Sequence, residues 1–336
     1  MNALVVSDLH FTDRPFDQYR FKVFEQLAEL SKTHGADTLL VLGDLCEFKD
    51  NHSALLVNKI VDGFYGLRKT SRINEIFFMS GNHDYTNPQQ PYFHFMRRLP
   101  WAKFFTEPTR IDRGTETWLF LPHTRDPEKA WKDVELGEAS HIFLHGTMTG
   151  AVRETGMKLE GISSTWFKGL RCTILAGDIH VPQKVGNVEY VGAPYPIRFG
   201  DTFQGHALLL KGKGIIECPL QNIRKVTLRL EGTELSQSSD VRKGDHVRVI
   251  IALSDSEMGD WQEAKKGAAN FCEARGAVLM KVQLERIAKV EKAGSKKPVI
   301  KIKQRTPEES LALYCKTQGV DEALAEMGQS LLREGV

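Results

Sequence analysis

The sequence predicts an α/β fold: a largely parallel sheet flanked by helices, a second sheet packed with it, a small α/β unit and a terminal helix pair. Three observations predict it. Apolar strand-length runs alternate with amphipathic stretches as far as residue 84, strand candidates then crowd together with few helices between them, and composition shifts near residue 222. Strands that are apolar along their whole length and alternate with helices belong to parallel sheets covered on both faces.

Each element follows from its pattern. "ALVVSD" (3–8) reads as a strand. Residues 17–34 read as one helix, with Phe21, Phe24, Leu27, Ala28 and Leu30 near a 3.6 period and Gly35 as the stop. "TLLVLGD" (38–44) is the next strand, 53–69 the next helix, and "EIFFMSGNHD" (75–84) a strand running into a polar turn. "TWLFLP", "HIFLHG", "CTILAGD", "VEYVGAP" and "HALLLKGKGIIECP" are further strands, the last folded back at Gly-Lys-Gly as a hairpin. With few helices between them they predict a second, more antiparallel sheet. "IRKVTLRLEG", "DHVRVIIALS", a helix over 258–275 and "GAVLMKVQLE" form a compact α/β unit over 222–287, which bounds the first domain at 1–221.

Residues 288–305 read as a basic linker. The stretch 286–305 holds eight Lys/Arg against one Glu, and solvated linker and nucleic-acid contact explain it about equally. Residues 306–336 read as a helix pair, opened by Thr306 as N-cap, Pro307 at the first position and Glu309 three after the cap.

Bulk properties narrow the function. The net charge of +2 gives no global basic field, so any nucleic-acid surface must be local. No apolar run approaches the ~20 residues that span a bilayer, and "MNALVVSDLH" lacks the basic start of a cleaved leader. The five cysteines are odd in number, scattered and without a C-x-x-C pair, which disfavours a disulfide framework and a structural zinc and points to a reducing cytoplasm.

Five strand candidates end in residues of metal-ligand type: Asp8 and His10, Asp44, Asn82 with His83 and Asp84, His145, and Asp178 with His180. A single Asp after a strand is ordinarily a turn residue. Five such ends, three of them following glycine, are hard to ascribe to turns alone. Sites in open α/β sheets form beyond the carboxyl ends of the strands. Carboxylates, a carboxamide and imidazoles without thiolates suit Mn²⁺, Fe²⁺, Zn²⁺ or Mg²⁺, and Asp44 could bridge two cations for two-metal hydrolysis.

The order "DLH … GD … GNHD … HG … GDIH" resembles the calcineurin-like metallophosphoesterase superfamily over residues 1 to about 200. The resemblance implies a two-sheet β-sandwich flanked by helices, with two metals at the sheet edge. By motif, Asp8, His10, Asp44 and His180 would hold one metal, and Asp44, Asn82, His145 and Asp178 the other. His83 would face the scissile phosphate and assist the leaving oxygen, with Asp84 orienting it.

Within the superfamily, "GDIHVPQ … VEYVGAPYPIRFGD" and the order of domains look most like the SbcD/Mre-type nucleases and their phage recombination-nuclease relatives. That narrower resemblance implies a DNA exonuclease or endonuclease of recombination and repair, a homodimer paired through helices such as 53–69 and 88–99, and terminal helices that dock on an SbcC/Rad-type coiled-coil ATPase. One position departs: many superfamily members carry Gly-His-x-His where this chain has Gly177-Asp178-Ile179-His180, and a carboxylate there shifts the expected metals toward Mn²⁺ or Mg²⁺. Arg198 is a candidate phosphate contact or a structural ion pair, and the aromatic-basic stretch 91–105 a candidate DNA contact or an ordinary amphipathic helix. A stand-alone phosphodiesterase for small substrates is the enzymatic rival, and an inert scaffold of the same fold the non-enzymatic one.

Overall fold

The structure is a computed structural model, and it describes residues 2–212, 214–231, 240–287, 311, 315, 321 and 324–327. The chain divides into two compact units, Met1–Ala288 and Lys289–Val336. Of the second, Leu311, Cys315 and residues 324–327 are helical. The predicted basic linker 288–305 lies outside the described residues, as does most of the predicted helix pair.

The first sheet contains β1 (Asn2–Val6), β2 (Thr38–Val41), β3 (Glu75–Met79) and β4 (Ala102–Phe105), paired in parallel in that order. The second contains β5 (Thr109–Arg113), β6 (Glu116–Leu121), β7 (His141–His145), β8 (Thr173–Gly177), β9 (Gln183–Val185) and β10 (Val188–Tyr190). Two more strands, β11 (His206–Lys211) and β12 (Gly214–Pro219), form the predicted hairpin, but it joins the first sheet: β11 pairs antiparallel with β1.

The expectation of a more antiparallel second sheet is therefore corrected. β6, β7, β8 and β10 are parallel, and antiparallel pairing is confined to the edges, at β5–β6 and β9–β10. Close spacing along the chain suggested hairpins, yet β6, β7 and β8 are joined by connections long enough to cross over.

Alternation along the strands explains the layering. Ala3, Val5, Leu40, Phe77 and Met79 face Trp118, Phe120, Phe143 and Leu175 of the second sheet in one core. Their neighbours Leu4, Val6, Leu39, Val41, Ile76 and Phe78 face the other way, onto α1 (Val23–His34) and α2 (Ala54–Thr70). A strand buried on both faces can afford no polar residue until its end. The outer face of the second sheet, from Leu119, Ile142 and Ile174, packs on loops rather than long helices; the only helix between β6 and β7 is the four-residue α3 (Pro127–Ala130).

Three helix predictions are also revised. Residues 17–34 split into a 3₁₀ segment, Pro15–Lys22, and α1. In a 3₁₀ turn residues i and i+3 eclipse, which places the buried Asp17 and Arg20 together at 3.2 Å. Within 88–99 only Tyr92–Arg98 is helical, also 3₁₀, and Leu99 turns extended ahead of Pro100. The stretch 91–105 then ends in β4, where Lys103 pairs with Glu75 at 3.2 Å. The helix over 258–275 begins as a 3₁₀ turn, Asp255–Asp260, under a Ser254–Glu257 capping box, and continues as α4 (Trp261–Ala274). α4 covers a parallel three-stranded sheet of β13 (Lys225–Glu231), β14 (His246–Leu253) and β15 (Val278–Arg286), with Val247, Val249 and Ile251 buried against Ala264, Ala268 and Cys272. No described helix is long and apolar enough to cross a membrane.

Phe120 is fully buried between the large sheets, where its ring meets those of Phe77, Phe105 and Phe143. Phe120→Ala is expected to lower the unfolding free energy by about 3–5 kcal/mol, measured by urea denaturation. A loss below about 1 kcal/mol would show that the sheets do not share a close-packed core there.

Candidate metal centre

All the predicted strand ends converge. β1, β2 and β3 deliver Asp8 with His10, Asp44, and Asn82 with His83 and Asp84, while β7 and β8 deliver His145, Asp178 and His180 from the facing sheet. Parallel strands place all their carboxyl ends on one side, so five separate segments of chain meet at one edge of the sandwich.

The local backbone is bent to make this possible. The non-glycine residues with positive φ among the described ones are Asp8 (54°), His10 (43°), Asp44 (54°) and Asp178 (95°). Such conformations cost roughly 1–3 kcal/mol each and persist where surrounding contacts over-determine them. The contacts here are backbone bonds between the two loops, from Asp8 N to Gly43 O (3.1 Å), His10 N to Asp44 O (2.9 Å) and Phe11 N to Leu45 O (2.9 Å). Gly81 is needed for a separate reason: a Cβ there would lie 2.2 Å from Asp44 Oδ1.

Three overlapping groups could each hold a cation, with donor atoms within 4.8 Å of one another: Asp8, His10 and His180; His10, Asp44 and His83; Asp8, Asp44 and His145. Asp44 faces two ways. Its Oδ2 lies 3.5 Å from His10 Nε2, and its Oδ1 lies 3.5 Å from His145 Nε2. Asp178 stands beside the second of these, its Oδ1 3.9 Å from His145 Nε2, while its other oxygen accepts a short hydrogen bond from the Thr147 hydroxyl and its N–H donates to both oxygens of Asp8 at 3.2 Å.

Two contacts test whether these residues fit a metal. The Nε2 atoms of His10 and His180 are 3.1 Å apart. Burial pushes His180 down to about 4 and His10 well below the usual imidazole range, so both rings are neutral, with lone pairs available as ligands. The Asn82 carboxamide oxygen lies 3.2–3.3 Å from carboxylate oxygens of Asp44 and Asp178 and 3.0 Å from His145 Nε2. A carboxamide so placed can join them as an oxygen ligand. The donor set fits a divalent metal.

Charge gives the same answer. Burial, with Asp44 and Asp178 adding to it, pushes Asp8 up to about 7 despite the neighbouring His145. Burial and the nearby Asp84 and Asp178 hold Asp44 well above the usual carboxylate range. Carboxylates buried this close together are stable in ionised form only when a strong positive charge accompanies them.

Asp84 has a different task from the one its sequence position suggests. It accepts from the N–H groups of Gly81 (2.7 Å), Leu45 (2.8 Å) and Asp44 (2.9 Å), and so fixes the loop that presents Asp44. The His83 ring is oriented by the Glu47 carbonyl, 2.7 Å from its Nδ1, and the His83 N–H donates to Asp44 Oδ1 at 2.8 Å. Arg198 lines the cavity of about 100 Å³ over the cluster, with Asp44, His83 and His180, and pairs with Glu154 at 3.0 Å.

Sequence reasoning missed the supporting residues. Arg20, buried at 2% exposure, donates a short bond to the His10 carbonyl, and Tyr195 does the same to Leu9. Glu47 Oε2 lies 3.5 Å from His10 Nδ1 and 3.8 Å from Arg20. His123 lies beside His145, ring centres 6.1 Å apart, with its Nδ1 2.6 Å from the Tyr85 hydroxyl. It carried a usable signal, since it follows the strand run "TWLFLP" as the other candidates follow theirs. Neither Arg20 nor Tyr195 announced its partner, because the backbone carbonyls they bond leave no mark in a sequence.

Residues 1–182 match the sequence model of the calcineurin-like phosphoesterase family. Exonuclease subunit 1 of Enterobacteria phage T4 is 23% identical over 217 residues, which cover 60% of this chain and 61% of the phage protein. The chain thus spans less than two thirds of that relative's length. Among solved structures, an archaeal phosphodiesterase matches 66% of this chain and 100% of its own at 12% identity, with a TM-score of 0.37. A dimetal phosphatase from Danio rerio matches 54% of this chain and 70% of its own at 10% identity, with a TM-score of 0.29.

A cation that binds the folded cluster alone stabilises it by mass action, by about 2.7 kcal/mol at 100 times its dissociation constant. Mn²⁺ is expected to raise the melting temperature, EDTA to reverse the rise, and Asp44→Asn to remove most of it. Metal analysis of Asp178→Ala is expected to show one equivalent fewer than the wild type. Unchanged stoichiometry would exclude Asp178 as a ligand.

Proposed function

Since the chain belongs to the calcineurin-like phosphoesterase family, a family of metal-dependent phosphoester hydrolases, we propose that it is a DNA nuclease and the nuclease subunit of a recombination or repair complex. The observation that carries the reading is the shared carboxylate: Asp44 faces His10 with one oxygen and His145 with the other. Asp8, His10, Asp44 and His180 would hold one cation, and Asp44, Asn82, His145 and Asp178 a second, with Mn²⁺ favoured over Mg²⁺. When bound, the pair would supply positive charge to the phosphoryl group and acidify water at neutral pH.

The chain's own residues supply the rest. Asp84 and the loop bonds around Asp8 and Asp44 hold the carboxylates at fixed positions. With Nδ1 donating to the Glu47 carbonyl, His83 keeps Nε2 for the substrate, and in its imidazolium form that nitrogen would carry the proton given to the leaving oxygen. Thr147 fixes one oxygen of Asp178 and leaves the other toward His145.

Choice of DNA as substrate rests on the sequence likeness to the phage exonuclease subunit and on the domain order, in which residues 222–287 act as a capping domain and 288–305 as a basic linker to the terminal helices. The designation of that relative as a subunit supports a partner, in this reading an SbcC/Rad-type coiled-coil ATPase bound through residues 306–336. Leu55 and Tyr65 of α2 and Tyr92 and Phe95 of the 3₁₀ segment Tyr92–Arg98 are exposed apolar side chains on the elements this reading assigns to pairing with a second copy. The cytoplasm is the compartment this reading assigns.

Mn²⁺-loaded protein is expected to degrade linear duplex or single-stranded DNA as well as bis-p-nitrophenyl phosphate. His83→Ala should lower the DNA rate by about 10²–10⁴-fold. Hydrolysis of the small diester alone would favour the stand-alone phosphodiesterase, and inactivity on both the scaffold. The full chain should co-purify with a co-expressed coiled-coil ATPase, and a chain ending at residue 305 should not; equal recovery would overturn the docking role of the tail.

A further inference from the structure

On the side of Asn82, His145 and Asp178 the metal cluster opens into a second, larger cavity of about 720 Å³. That volume is within the roughly 300–1,000 Å³ of sites that hold small organic ligands. Nothing in the placement of the metal ligands requires it, since the cluster has its own cavity of about 100 Å³.

Its walls combine two chemistries. Arg125 and Arg153 are both exposed on it, and neither forms an ion pair with a carboxylate among the described residues, unlike Arg198, which is held by Glu154. Arg153 also borders the smaller cavity, so one cation reaches both. The nearest acid in sequence, Asp126, is engaged as the cap of α3, accepting from Lys129 N at 3.1 Å. Glu128 is exposed at the rim.

The other wall is aromatic. Trp166 is half-buried and stands edge-to-face with Trp131, ring centres 6.1 Å apart. Trp131 is 1% exposed and backs Trp166 from the core. Inorganic phosphate would use the arginines and leave the tryptophans idle, and an apolar ligand would do the reverse. A nucleotide uses both, because every base has a face that stacks and its phosphate offers the anion the arginines lack.

We propose that this cavity is a nucleoside subsite: it takes the base and sugar of the nucleotide attached to the scissile phosphate, with Trp166 as the stacking wall and Arg125 and Arg153 facing the phosphate. The assignment rests on the nuclease reading for its substrate, and it adds that base contact, without regard to sequence, determines which phosphodiesters are good substrates.

Two measurements on the full chain test it. In EDTA, thymidine 5′-monophosphate should quench tryptophan fluorescence, and Trp166→Ala should weaken that binding about 5- to 100-fold, the loss expected for one base–aromatic stack, while Trp166→Phe retains most of it. With Mn²⁺, wild type should prefer thymidine 5′-(p-nitrophenyl phosphate) to bis-p-nitrophenyl phosphate. Trp166→Ala should reduce that preference by a similar factor through KM. Nucleotide binding insensitive to Trp166→Ala, or an equal loss on both esters, would overturn the subsite. A wild type that shows the tryptophan-dependent preference but leaves DNA intact would uphold the subsite and overturn the nuclease reading. DNA cleavage with no such preference would do the opposite.

Discussion

Asp8 and Asp44 stand buried at the ends of adjacent parallel strands, and Asp178 reaches them from the facing sheet. Removing such groups from water costs several kcal/mol per ion, and their mutual repulsion adds to it. Among the described residues no arginine or lysine forms an ion pair with them, and the His10 and His180 imidazoles beside them are neutral. The edge of the sandwich is therefore built around a positive charge that must come from outside the chain. The facing Nε2 atoms of His10 and His180 are arranged for the same charge.

Holding that arrangement requires a rigid frame. Four residues of the cluster are kept in left-handed backbone conformations, which a loosely packed loop would relax. The frame is the core between the sheets, where Phe77, Phe105, Trp118, Phe120 and Phe143 interlock, together with the Asp84 carboxylate that gathers three backbone N–H groups beneath Asp44. Apolar packing thus fixes where the strands end, and hydrogen bonds fix how the last residues turn.

A second network ties the metal loop to the small sheet. Arg20 grips the His10 carbonyl and pairs with Asp17. Tyr19, its neighbour, donates to the Pro196 carbonyl at 2.7 Å and packs edge-on against His246 of β14. Lys225 of β13 donates to the Ile197 carbonyl at 2.7 Å, and its partial burial pulls it down to about 8. The segment 195–198 is therefore held by the small sheet on one side and, through Tyr195, by the metal loop on the other.

The sequence alone determined the β-α-β-α-β run as far as residue 84, the two-faced burial of its strands and the ligand-type residues at the strand ends, because strand-end motifs are local: an apolar run and the polar residues after it are adjacent in the chain. Tertiary structure decided what depends on contacts between distant segments. It sent the 206–219 hairpin to β1 rather than to the second sheet, since strand pairing is chosen by whichever edge is left open. It turned Asp84 toward three backbone amides and gave the His83 ring to Glu47, since a side chain's partner depends on the fold of the loop and not on sequence proximity. It also brought Arg20, Trp131 and Trp166 to the rim of the centre from segments with no shared motif. A sequence states which groups can ligate or stack; only the packed chain sets the distances at which their charges and faces meet.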